Sequence, residues 1–143
     1  MFQDSRPPIV FAGPSVSNIA LEGVELRPPI RRGDAEDLLS RDPGRALIID
    51  GLFGSSLALT PTECRALLAQ GWELYGAASI GALRAAECWQ IGMVGIGEVY
   101  TLYRSGLLQS DGEVAVAYDP SGSSELSIAL VHLRSVLQWL RDR

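Results

Sequence analysis

The sequence predicts an α/β domain in three layers, with a mainly parallel sheet flanked by helices. Three observations lead there. Strand-length apolar runs such as Pro8-Ile9-Val10-Phe11-Ala12 and Ala46-Leu47-Ile48-Ile49 lack polar alternation, as strands covered by helices do. These runs alternate with helical segments bounded by caps and glycines. No internal repeat or linker divides the 143 residues, and with 47% hydrophobic residues and a mean hydropathy of +0.15 the chain can fill a single core over residues 1–143.

The first strand, residues 8–12, closes at Gly13-Pro14-Ser15, from which Ser15 or Ser17 caps a short helix ending at Gly23. Ligands of open α/β sheets bind beyond the carboxyl ends of strands, so Gly13, Pro14 and Ser15 stand where a substrate would. A plain turn is the alternative. Val24-Glu25-Leu26 forms a second strand, and Pro28-Pro29 holds the chain extended so that Arg31 and Arg32 project from a stiff loop. Paired arginines suit a carboxylate or phosphate, or simply water. Asp34 caps a helix over residues 35–40.

Residues 45–51 form the next strand, with Asp50 at its carboxyl end as a candidate acid. Thr60-Pro61-Thr62-Glu63 is a capping box with proline at the first helical position, opening a helix through Cys64 and Leu67 that Gly71 ends. The following stretch, Gly71 through Glu87, organises the chain. Trp72, Leu74 and Tyr75 suit a strand and Ala82, Leu83, Ala85 and Ala86 a helix, so Ser79 lies at the junction. There it either caps the helix or projects beside unpaired N–H groups that favour developing negative charge. Ala77-x-Ser79-x-Gly81 differs by one methyl from the Gly-x-Ser-x-Gly turn of serine hydrolases. Arg84 and Glu87, three apart, form an exposed ion pair or contribute to that site.

Gly95-Ile96-Gly97 reads as a turn, residues 98–105 as a helix with Val99, Leu102 and Tyr103 inward, and residues 113–118 as a strand. Leu126, Leu130, Leu133, Leu137 and Leu140 recur at spacings of four and three, making an amphipathic helix over about 124–141. Its stripe packs into the core or docks on a partner. His132, beside the stripe, reads as a structural residue.

The net charge of −5 and pI near 4.8 exclude a general nucleic-acid binder. All 12 basic residues are arginine, so Schiff-base chemistry and a lysine base are excluded as well. Cys64 and Cys88 have no metal-ligand spacing and read as buried apolar residues of a reducing compartment. No metal or cofactor is expected. No apolar run approaches the ~20 residues that span a bilayer, and the expectation is a cytoplasmic protein without membrane contact.

Five ordered blocks between about residues 8 and 118 resemble the TfuA-like family. They are Phe11-Ala12-Gly13-Pro14-Ser15, Pro28 through Asp34, Ile48 through Phe53, Gly76 through Glu87, and Gly92 through Gly97 with Asp111-Gly112-Glu113-Val114-Ala115 after it. The resemblance implies a partner of YcaO enzymes in peptide-backbone thioamidation. Such a protein hydrolyses the C-terminal thiocarboxylate of a ThiS-like sulfur carrier and delivers sulfide to YcaO, which activates the amide of the peptide substrate. The family site implied is a Ser–Lys pair. Ser79 matches the serine, and no residue matches the lysine. Arg31 or Arg32 then replaces it electrostatically, with Asp50, Glu87 or water taking the serine proton, because a guanidinium cannot act as a base. Gly13, Pro14, Ser15, Arg84 and Glu87 are the expected substrate contacts. The alternative is a non-catalytic adaptor that docks YcaO, peptide and carrier.

Overall fold

The computed structural model describes residues 4–54, 56–117 and 127–143. Five strands, β1 (Ile9–Phe11), β2 (Glu25–Arg27), β3 (Arg45–Ile48), β4 (Glu73–Ala77) and β5 (Val94–Ile96), form one sheet in the order β2-β1-β3-β4-β5. Every pairing is parallel. The helices are α1 (Asp34–Leu39), α2 (Pro61–Gln70), α3 (Ile80–Cys88), α4 (Glu98–Arg104) and α5 (Leu130–Arg141). The α/β class with a parallel sheet is therefore as expected. Among the described residues no helix is long and apolar enough to cross a membrane.

The chain passes from β2 to β3 to β4 to β5 through α1, α2 and α3, always in the same direction along the sheet. Right-handed crossovers of that kind place the helices on one face. That face carries Ile9, Phe11, Ala46, Ile48 and Leu74, which pack with Leu38, Leu67 and Ile80 into the main core. The alternate strand residues turn away from it. Of these, Leu26, Val94 and Ile96 remain 54%, 48% and 48% exposed.

The capping box forms as predicted. Thr60 Oγ1 accepts from the Glu63 N–H at 3.2 Å while Glu63 Oε2 accepts from the Thr60 N–H at 2.7 Å. Glu63 Oε1 also accepts the Gly33 N–H at 2.8 Å, tying the starts of α1 and α2 together. Gly71 ends α2 in the left-handed region at φ 111°.

Other expectations need correction. No α-helix follows β1, only a 3-10 turn at Pro14–Val16, because the Ser15 hydroxyl donates to Asp50 instead of capping. Asp34 is the first residue of α1 rather than its cap, and its carboxylate accepts the Arg31 N–H. Residues 94–96 are a strand, not a turn. Gly95 is glycine because the Tyr100 ring lies where its Cβ would be.

Residues 113–117 form no strand, since the amides of Val114 and Ala115 both turn back to the Asp111 carbonyl. The expected strand's last residue, 118, lies outside the described residues, as do Leu126 and the start of the predicted terminal helix. Within α5 the leucine stripe does not enter the core. Leu133, Leu137 and Leu140 are exposed, and Val131, off the stripe, is the residue that buries.

Candidate functional site

In a sheet of this order the chain leaves β1 toward β2 on one side and continues through β3 on the other. A crevice therefore opens between the carboxyl ends of β1 and β3. Asp50 lies there, just beyond β3, and is only 3% exposed. Its Oδ2 accepts the N–H groups of Gly13 and Ser15 at 2.8 and 3.1 Å, and its Oδ1 accepts the Ser15 hydroxyl at 2.7 Å. The buried carboxylate thus holds the Gly13-Pro14-Ser15 loop. Sequence reasoning placed these four residues at strand ends, and the structure joins them in one network.

One strand further along, the chain leaves β4 through Ala77 and Ala78 and enters α3 at Ser79. Ala78 has φ +58°, a left-handed conformation that costs a residue with a Cβ ~1–2 kcal/mol. The surroundings dictate this tight corner. A Cβ on Gly76 would collide with the Gly81 carbonyl, and one on Gly81 would collide with the carbonyl of Ile48 in β3. With no side chain between them, the first turn of α3 presses directly on the strands, and the Gly81 N–H donates to the Ile49 carbonyl at 3.2 Å.

Ser79 occupies the N-cap position of α3, yet its hydroxyl makes no cap hydrogen bond to the helix. Of the two roles open to it, the capping one is not used. The N–H groups of the first helical turn have no intrahelical acceptors, those of Ile80 and Ala82 among them, so the helix start can stabilise an anion.

Ser79 and Ala78 line a cavity of about 370 Å³ together with Pro14, Ser15 and Asp50, a volume in the range of small-ligand sites. Val131 and His132 from α5 line the same cavity. His132 is a lining residue that the sequence did not place at the site. Its place beside a leucine stripe pointed to a structural role, and nothing local ties it to Ser79, which it meets only through the fold. The one available signal was that it is the sole histidine of the chain.

The remaining candidates lie outside this cavity's lining. Arg31 borders a separate pocket of about 360 Å³ with Arg27, Pro28 and Asp34. Arg32, exposed, donates its N–H to the Leu57 carbonyl. Arg84 Nε donates to the Leu59 carbonyl at 2.6 Å and its Nη1 pairs with Glu87 at 3.1 Å, so this pair braces α3 against the loop before α2.

Cys64 and Cys88 are buried, and the neighbouring Cys88 thiol together with burial pushes the Cys64 thiol far above its ordinary range. Neither lines the cavity.

A family model described as TfuA-like protein matches residues 50–143, which include Asp50, Ser79 and His132. No curated protein matches the chain.

Proposed function

The chain belongs to the TfuA-like family, and from that premise we propose that it is an accessory protein of YcaO-dependent thioamidation that hydrolyses a thiocarboxylated, ThiS-like carrier. Ser79 is the nucleophile and sulfide is the product passed to YcaO. The observation that carries this reading is the state of the Ser79 hydroxyl. It stands at the start of a nine-residue helix, makes no cap bond, and opens on the cavity at the carboxyl edge of the sheet.

Attack by Ser79 Oγ on the thiocarboxylate carbon forms a tetrahedral centre whose oxyanion the N–H groups at the start of α3 receive. Hydrosulfide is a good leaving group, so the demanding tasks are activating the serine and bringing an anionic substrate beside Asp50. The small side chain of Ala78, which lines the cavity beside Ser79, leaves room for an extended carrier tail. Pro14 and Ser15, whose loop Asp50 fixes, line the same cavity and are placed to contact the tail. Arg31 and Arg32 serve this reading best as contacts for the body of an acidic carrier, since neither lines the cavity.

Sulfide release from purified thiocarboxylated carrier tests the proposal. Ser79→Ala is expected to fold, bind carrier, and release sulfide several powers of ten more slowly. Release at the wild-type rate would refute it.

The adaptor reading keeps a specific observation in its favour. Leu133, Val136, Leu137, Trp139 and Leu140 expose an apolar flank on α5, and Leu26, Val94 and Ile96 do so on the sheet. Surfaces of this kind suit docking onto YcaO or the carrier. An adaptor would support thioamidation equally well as Ser79→Ala when free sulfide is supplied or withheld. A hydrolase variant would be rescued by sulfide alone.

A further inference from the structure

Resting on the reading of Ser79 as nucleophile, we propose that His132 is the general base that activates it. The chain has no lysine, and the proton must go to a group facing the same cavity. Among the described lining residues two can accept one, Asp50 and His132. Both oxygens of Asp50 are already engaged by three donors, and taking the serine proton would give up the charge that strengthens those bonds. Glu87 is occupied with Arg84 and lines no part of the cavity.

His132 is the third residue of α5, and the beginning of that helix is firmly seated. Ala129 and Val131, which precede His132, are buried with Leu83 of α3, Tyr103 of α4 and Val114. The N–H groups of His132 and Leu133 both donate to the Ala129 carbonyl, at 3.1 and 3.3 Å. His132, itself exposed, thus follows an anchored turn and lines the cavity that Ser79 also lines. Imidazole is also the side chain suited to exchanging protons near neutrality, either directly or through one water.

The chemistry balances without any further group. As Ser79 Oγ bonds to the thiocarboxylate carbon, its proton passes to His132. The C–S bond then breaks, and the sulfur departs with that proton as hydrosulfide, leaving an ester on Ser79. Water next gives a proton to His132 and attacks the ester carbon. The C–O bond to Ser79 breaks and the proton returns to Oγ. The net change is thiocarboxylate plus water to carboxylate, hydrosulfide and one proton.

A small fluorophosphonate, which phosphonylates a base-activated serine with loss of fluoride, tests His132 without the carrier. Mass spectrometry of the intact chain and its peptides reads the label at Ser79. We expect His132→Ala to slow labelling by ~10²–10⁴-fold, with His132→Gln equally slow. Added imidazole should partly restore the rate in the alanine variant, which a merely structural role would not allow. Circular dichroism checks that both variants are folded, and the glutamine variant carries the test if alanine unfolds the chain. Labelling of either variant at the wild-type rate, or loss that imidazole does not relieve, would overturn the assignment of His132 while leaving Ser79 as nucleophile. Wild-type protein left unlabelled at Ser79 would remove the nucleophile reading and the base with it.

Discussion

Asp50 is the hub of the site, and its replacement separates what the carboxylate does for stability from what it does for charge. Three donors converge on it at 2.7–3.1 Å, and the residue is 3% exposed. A hydrogen bond to a charged group contributes ~1.5–3 kcal/mol net and a neutral one ~0.5–1.5. In Asp50→Asn the carbonyl oxygen can keep both N–H groups while the amide nitrogen donates to Ser15 Oγ, so the network survives and only the charge assistance is lost. With Ser15 itself open to water, that loss comes to about 1–2 kcal/mol. Asp50→Ala removes all three bonds and strands the half-buried Gly13 N–H, about 3–5 kcal/mol, a large share of the ~5–15 kcal/mol of a typical domain. At a urea slope of ~1.5 kcal/mol per M, the midpoint should fall by roughly 1 M for asparagine and 2–3 M for alanine. Equilibrium urea unfolding followed by tryptophan fluorescence measures both. An alanine variant that unfolds within ~0.3 M of wild type would refute the claim that this carboxylate holds the β1 loop.

Gly81→Ala drives a methyl group into the Ile48 backbone carbonyl and should cost ~3 kcal/mol or more in the same unfolding assay; an unchanged midpoint would mean that α3 does not press on β3. Tyr103 predicts an alkaline limit. Burial, with the Glu113 and Asp111 carboxylates adding to it, pushes its phenol up to about 12, above the ordinary value near 10. A raised acid favours folding fully below pH ~10 and loses that contribution as pH climbs through the folded value near 12. Absorbance at 295 nm should show one of the four tyrosines ionising late, and Tyr103→Phe should abolish that late step. Cys64 and Cys88, both buried, should resist a thiol reagent such as dithionitrobenzoate in the native state and react together once denatured; prompt release of one equivalent would contradict their packing.

How far the sequence could be read depended on whether each signal was local. The capping box at Thr60 and Glu63 and the strand–turn–helix at Ser79 are decided by neighbours in the chain, and both were legible. Asp50 was legible from a rule of position, since polar residues at carboxyl ends of parallel strands face the crevice. Glycine misled at residue 95, where it serves the Tyr100 ring rather than a turn. Alternation misled at Val114 and Val116, which face the second core cluster and the cavity without a strand partner. The leucine stripe of α5 carried the right helical period, but period alone does not say what covers a face. That Arg31 borders a separate pocket and His132 lines the cavity of Ser79 was not legible for the same reason, because which side chains share a cavity is decided by tertiary packing.

As the proposed nucleophile, Ser79 would carry a covalent acyl intermediate during turnover. Mixing the protein with thiocarboxylated carrier, quenching within a turnover and recording the intact mass tests this directly. An adduct equal to protein plus carrier less hydrogen sulfide is expected, mapped by peptide sequencing to Ser79 and absent from Ser79→Ala, which also releases almost no sulfide. Steady sulfide release by Ser79→Ala at the wild-type rate, with no adduct in either protein, would contradict it.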